Sequence, residues 1–243
     1  MTAASAGSAV QAACFAVREK LFQYARGVHA SLLANASLDH VSFADGRVVL
    51  RSDPTRAVTF LDAMRAGGVE RIAEDGKGGP GMIRFVVNKT ITGAPYASYS
   101  HSAIFAEVRI DEELSVVRVT RIVNAVAAGR ILNLKTARSQ ILGGVVFGIG
   151  MALEEESMLD HQLGRFMNHN IAEYHVPVHA DMPDIEVIFV EEHDGVIPLG
   201  VKGVGEIGTV GTAAAIGNAV YHATGVRVRD LPVTVDKLLL HRL

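Results

Sequence analysis

Five glycines fall in one short window, Gly200-Val-Lys-Gly-Val-Gly-Glu-Ile-Gly-Thr-Val-Gly211. The stretch that follows, Ile207 to Val226, carries no charged residue and reads as a buried helix beginning near Glu206. Bare backbone leading into a helix leaves free N–H groups and the positive end of the dipole pointing at whatever lies in front. That arrangement suits an anion or a flat cofactor. Glu206 is the single acid in the window, set among Val, Gly and Ile. An apolar setting disfavours the charged carboxylate, so Glu206 can serve as a base near neutral pH. A Glu at a helix start can equally just complement the dipole. The spacing leaves both readings open.

A second glycine cluster lies in Gln140-Ile-Leu-Gly-Gly-Val-Val-Phe-Gly-Ile-Gly150, within a helix expected from about Thr136 to Met158. Each glycine inside a helix costs about 1 kcal/mol relative to Ala. Close packing against another element, or contact with a ligand, must offset that cost. Gln140 can both donate to and accept from such a ligand.

Gly203-Val-Gly-Glu-Ile-Gly208 formally matches the dinucleotide-binding fingerprint. That fingerprint needs a strand directly before it and a βαβ unit around it. Pro198 and Gly200 interrupt any such strand, and little strand pattern follows. Elsewhere helical and alternating patterns mix without regular βαβ order, so the fold class is α+β rather than a doubly wound sheet.

The rest of the chain reads as follows. Val10, Ala13, Cys14, Val17 and Leu21 recur at helical spacing over 8–24, placing Cys14 in the core, with Ser5 or Ser8 as cap. Val41 to Leu50 is a hairpin turning at Asp45-Gly46. Asp53-Pro54 opens a short helix to about Ala66. Gly76-Lys-Gly-Gly-Pro-Gly81 is a loop. Ala103 to Ile122 is a strand pair turning at Glu112 to Ser115. Ile171–Val176 and Ile185–Val190 read as extended, and the last residues as a short helix. Two α+β parts are expected, 1–95 and 96–243.

Lys+Arg 23 against Asp+Glu 26 leaves a net charge of −3, which argues against a nucleic-acid partner. The single cysteine excludes an internal disulfide framework and any cysteine-ligated iron–sulfur cluster in this chain. His175 and His179 flank Pro177, so they share no helix face, and no metal site is expected from them. Glu154-Glu-Glu156 and Asp111-Glu-Glu113 read as solvated charge. The N-terminus has neither a basic nor an apolar segment of a signal peptide. No apolar run suits a membrane span. Ser5-Ala-Gly-Ser8, hydroxyls and a glycine at a helix start, suits either a phosphate or a plain cap.

At these segments the sequence resembles the xanthine dehydrogenase/aldehyde oxidase family, in its large molybdenum-binding subunit. Gly200–Gly208 looks like that family's C-terminal active-site motif. Gln140-Ile-Leu-Gly-Gly144 resembles its Gln-x-x-Gly-Gly pterin segment, and Ser5-Ala-Gly-Ser8 its Ser/Gly helix start. Gly129-Arg-Ile-Leu-Asn133, Ala172-Glu-Tyr, Pro183-Asp-Ile and Arg229-Asp-Leu-Pro also fit, in order, over nearly the whole chain. The likeness is greatest to bacterial aldehyde dehydrogenases of the periplasmic type, whose subunit carries molybdopterin cytosine dinucleotide.

The resemblance implies two-layer mixed-sheet and helix subdomains. It implies oxidation of an aldehyde, or of an N-heterocycle such as xanthine, with water-derived oxygen. Glu206 would be the general base. Gln140, Gly143, Gly144, Ser5, Gly7, Ser8, Lys202, Gly203 and Gly205 would contact the molybdopterin. Iron–sulfur clusters and FAD would sit on partner chains. A cytoplasmic location is expected, with co-export to the periplasm beside a partner as the alternative, and self-association is expected of the chain alone. Three departures stand out. The family's subunit is far longer, and this chain corresponds to about its last third. Leu134 follows Asn133 where the family usually has Pro. Ala127 stands where an acid is often found.

Overall fold

The computed structural model describes residues 3–28, 33–76 and 99–239. The chain divides into two compact units, one of Met1–Tyr96 with Val196–Leu199, the other of Ala97–Gly195 with Gly200–Leu243. The loop beginning at Gly76 lies, beyond Gly76 itself, outside the described residues.

In the first unit, a π-helical turn over Ala3–Gly7 runs straight into α1, Ser8–Gly27. Strands β1 (Val41–Ala44), β2 (Arg47–Leu50) and β3 (Asp53–Thr59) form an antiparallel sheet in that order. The hairpin turns with Asp45 at φ 49° and Gly46 at φ 71°. Positive φ at both turn residues is what a tight, strand-twist-compatible connection requires. The core joins Leu21, Phe22 and Ala25 of α1 to Val41, Val48, Leu50 and Val58 of the sheet.

Three expectations are corrected here. The segment from Asp53 is strand, not helix: Thr55, Val58 and Thr59 favour extended backbone, and the exposed Pro54 is tolerated because β3 is an edge strand. The helix starts only at α2 (Phe60–Ala66), where Thr59 Oγ1 accepts from the Asp62 N–H at 3.0 Å. Cys14 is exposed, because the sheet covers only the second half of α1, from Leu21 onward. Neither Ser5 nor Ser8 caps α1; the capping position falls on Gly7, in helical backbone, with no side-chain bond.

In the second unit, β4 (His101–Asp111) and β5 (Val116–Ala127) form a long antiparallel pair. Strand β8 (Asp184–Phe189) joins β5 in parallel. Between them lie α3 (Leu134–Leu153) and a two-residue-per-strand hairpin, β6 (Leu159–Asp160) and β7 (Arg165–Phe166). The unit ends with α4 (Ile207–Val210), α5 (Thr212–Thr224) and α6 (Val235–Leu239). Ile122 and Val126 of β5, Ile141, Val145 and Ile149 of α3, and Ile216 and Val220 of α5 form the core. By length and composition α3 could cross a membrane; here it is the core helix, with those three side chains buried.

Helix α3 stops five residues before the expected Met158. Three consecutive acids, Glu154 to Glu156, oppose the negative end of its dipole. They are not simply solvated: Glu155 is half-buried and accepts from the Tyr174 hydroxyl at 2.8 Å. Burial, with Asp181 and Glu155 nearby, raises the Glu154 carboxyl above its ordinary range. Residues 171–174 form a turn instead of an extended run, because Asn170 Oδ1 accepts the Ala172 N–H and its carbonyl accepts the Tyr174 N–H.

Candidate functional site

The glycine-rich segment 200–206 lies at one end of the β4–β5–β8 sheet, where β5 and β8 end and β4 begins. No strand leads into it; Val201 makes only an isolated bridge to Gly129. That removes the structural basis for a dinucleotide fingerprint at Gly203–Gly208.

The upstream half of the segment is pinned. Gly129 has φ 63°, and a Cβ there would stand 2.2 Å from the Gly200 carbonyl oxygen. Only glycine fits, both for conformation and for space. The Arg130 N–H donates to that same carbonyl at 2.7 Å, and the Lys202 N–H donates to the Ala128 carbonyl at 3.1 Å. Ser100 Oγ donates to the Gly203 carbonyl at 2.6 Å.

The downstream half is held by helix packing. Gly144 and Gly148 of α3 face Gly208 and Thr212: a Cβ on Gly144 would lie 3.0 Å from Gly208 Cα, and one on Gly148 2.4 Å from Thr212 Cβ. Thr209 Oγ1 donates to the Gly144 carbonyl at 2.9 Å. Gly144 and Gly148 are therefore contact glycines between helices. Gly144 is buried, and its carbonyl accepts the Thr209 hydroxyl.

Between the two anchors Gly203, Gly205 and Glu206 are exposed, and Glu206 is the residue just before α4, without a side-chain cap bond. Its expected apolar enclosure is not provided by the described residues. Gly203 and Gly143 face open space, and a Cβ on Gly205 would lie 3.8 Å from Gln140 Oε1. Gln140, on the exposed side of α3, thus shares one surface with Gly143 and the bare loop. A primary amide, bare backbone and one carboxylate are brought together there.

Lys202 is placed differently from the expectation. Its side chain is only 8% exposed. Nζ lies 2.5 Å from Glu192 Oε1, 3.1 Å from the Tyr99 carbonyl and 3.5 Å from Asp194 Oδ2. Three acceptors thus match the three donors of the ammonium. Burial alone would lower its pKa; the hydrogen bond and charge of Glu192, with Asp194, reverse this and hold it above the ordinary lysine value. Glu192 is held below the usual carboxylate range by Lys202 and by the Gly129 N–H, which donates to its Oε2 at 2.9 Å. The sequence reading missed Glu192, Asp194 and Ser100; the only signal was an acid-rich run directly after a strand.

Ser5, Gly7 and Ser8 belong to the first unit. Ser5 is exposed. A Cβ on Gly7 would stand 2.8 Å from Leu199 Cδ1, so its smallness serves packing. Ser8 is buried, and its Oγ has no hydrogen-bond partner among the described residues. A buried hydroxyl without a partner is costly, and it fits a site that a polar group would complete. His175 and His179 are both exposed, and the described residues contain no group of three metal-ligating side chains.

The chain is 42% identical over 96% of its length to the aldehyde oxidoreductase molybdenum-binding subunit PaoC of Escherichia coli K12, covering 29% of that protein. It is 31% identical over 96% of its length to the xanthine dehydrogenase molybdenum-binding subunit of Escherichia coli O157:H7, again covering 29%. Its fold matches CO dehydrogenase from Oligotropha carboxidovorans with TM-score 0.75 at 18% identity, over 98% of this chain and 28% of that one. The chain thus spans less than a third of the length of these relatives. Residues 1–183 match the molybdopterin cofactor-binding domain, and the chain belongs to that family.

Proposed function

We propose that the chain is the C-terminal part of the large subunit of a molybdenum hydroxylase that oxidises aldehydes or N-heterocycles. The observation that carries this is the shared surface of Gln140, Gly143, Gly203, Gly205 and Glu206. It supports a reading in which bare backbone and the Gln140 amide lie against the pterin. Ser5 and Ser8 are assigned to the cofactor by the likeness of their segment to the family's Ser/Gly helix start, and the cofactor is read as its cytosine dinucleotide form. When bound, the cofactor accepts two electrons from the substrate carbon as water-derived oxygen is added to it.

Glu206 takes up the proton released by the attacking oxygen on its carboxylate. Its exposure leaves it free to meet substrate, and the polypeptide that completes the site supplies the water-excluding wall. Iron–sulfur and FAD-bearing chains carry the electrons away. We place the protein in the cytoplasm, with co-export beside a partner as the alternative.

The test is Glu206→Gln in the assembled enzyme. Loss of a general base costs about 10²–10⁴-fold in turnover. Turnover within a few-fold of wild type would overturn the assignment. A second measurement, molybdenum and pterin content of the purified 243-residue chain, separates a segment that holds the cofactor alone from one that needs the rest of the subunit. The non-catalytic alternative, a folded assembly segment, predicts neither metal nor pterin and no effect of Glu206→Gln on the assembled enzyme.

A further inference from the structure

All three strands of the second unit's sheet terminate around one ammonium. Glu192 and Asp194 follow β8, Gly129 follows β5, and Tyr99 precedes β4. Lys202 Nζ reaches the Glu192 and Asp194 carboxylates and the Tyr99 carbonyl directly. It reaches Gly129 through the second oxygen of Glu192. Lys202 is also the fourth residue before Glu206, within the segment whose upstream half is bonded and whose tip is bare.

We propose that Lys202 is a positioning residue, an ionic latch that fixes the Gly200–Gly203 backbone to the ends of β4, β5 and β8 and thereby sets where Glu206 stands. The inference rests on the reading of Glu206 as the base. The physical reason is the geometry. Glycine backbone has little conformational preference of its own, so a segment containing Gly200, Gly203 and Gly205 holds one shape only if its neighbours impose it. The backbone bonds at Ala128 and Gly200 give two fixed points. The buried ammonium adds a third that is charge-assisted, and such bonds are stronger than neutral ones. Removing one partner of a buried pair also leaves an uncompensated charge, which moves the surrounding backbone. The Lys202 side chain is only 8% exposed and its ammonium meets three acceptors, so its effect on the site passes through the loop.

The experiment is residue-resolved amide exchange on the 243-residue chain. Lys202→Met is expected to speed exchange about tenfold or more at position 202 and at Gly129 and Arg130, whose amides are hydrogen-bonded there, as local opening becomes easier, and to leave Ile122 and Val126 in β5 protected. Glu192→Gln, a milder change that keeps the shape, is expected to give the same pattern at smaller amplitude, and serves if Lys202→Met does not fold. Lys202→Arg, which keeps the charge, is expected to restore protection. Loss spread evenly over the sheet would mean a general structural role and would overturn the latch, as would unchanged exchange at position 202, Gly129 and Arg130. Glu206→Gln is expected to leave the exchange pattern as in wild type. If Glu206→Gln leaves turnover of the assembled enzyme intact while Lys202→Met still frees the loop, the base assignment falls and the latch stands.

Discussion

A Cβ placed on Gly148 would lie 2.4 Å from Thr212 Cβ, closer than carbon atoms approach in folded proteins. Five residues earlier on the same helix, Gly143 faces open space. The two glycines therefore predict opposite outcomes. Gly148→Ala forces the helices apart, an overpacking cost of about 1–3 kcal/mol against about 1 kcal/mol gained in helix propensity. Its melting temperature is expected to fall. Gly143→Ala is expected to stabilise the chain by about 0.5–1 kcal/mol, because alanine orders a helix better than glycine. If Gly143 lies against the cofactor, the same variant of the assembled enzyme retains less pterin. Calorimetry and pterin fluorescence read the two effects separately.

Leu134 stands where the family that the sequence resembles usually has proline. In the structure Leu134 is the first helical residue of α3 and is 64% exposed, with Asn133 before it in extended backbone at φ −142°, ψ 108°. Asn133 Oδ1 accepts the Thr136 N–H at 3.0 Å, so the helix start is already capped. Proline is well suited to this position, since the N–H it lacks has no partner within the helix. Leu134→Pro is expected to be neutral or to stabilise by about 0.4–1 kcal/mol, by restricting the unfolded chain. Urea unfolding checks this; a clear loss of stability would contradict it.

Asn124 sits at the centre of β5, fully buried on the helix-facing side, and neither polar atom of its amide has a partner among the described residues. An unsatisfied buried polar group costs about 1–3 kcal/mol, and an apolar replacement of similar shape removes that cost. Asn124→Leu is expected to raise the urea midpoint. A lowered midpoint would show that the amide is satisfied in solution.

The Glu192–Lys202 pair fixes a sign for pH dependence. Glu192 is held below its ordinary value of 4.5 by the hydrogen bond from Lys202 and by the Gly129 N–H. A carboxylate with a lowered folded pKa contributes stability that is present above the unfolded value and lost as pH falls through the folded value. Lys202, held above 10.5, contributes in the opposite sense, with stability lost only as pH rises beyond it. Between those limits the pair is constant. The melting-temperature gap between wild type and Glu192→Gln is expected to narrow as pH falls below 4.5, and to stay level from pH 5 to 9. A gap that widened in acid would refute the pairing.

Local signals in the sequence carried some of this architecture and concealed the rest. Asp45-Gly46 announced its hairpin because the turn's backbone demands those residue types. The alternation along 103–122 marked β4 and β5 because one face of each strand packs against helices. Pro54 misled: its fixed φ suits both a helix start and an edge strand, and the β-branched residues after it decided for the strand. Gly143 and Gly144 are adjacent in sequence but about 100° apart around a helix, so no local pattern tells which faces a neighbour and which faces open space. The Lys202 latch was illegible for a different reason. Its acids lie on the far side of Pro198 and Gly200, and only the gathering of three strand ends at one end of the sheet brings them together.

The segment carrying Glu206 is tethered at both ends, to Ala128, Arg130 and Ser100 upstream and to Gly144 downstream. A tethered span has a fixed contour length. An added or deleted residue between Gly203 and Gly208 cannot be absorbed by slack; it would rotate the carboxylate out of place or break a tether. Exchanging a side chain within the span, at Val204 for example, leaves the tethers in place, whereas changing its length does not.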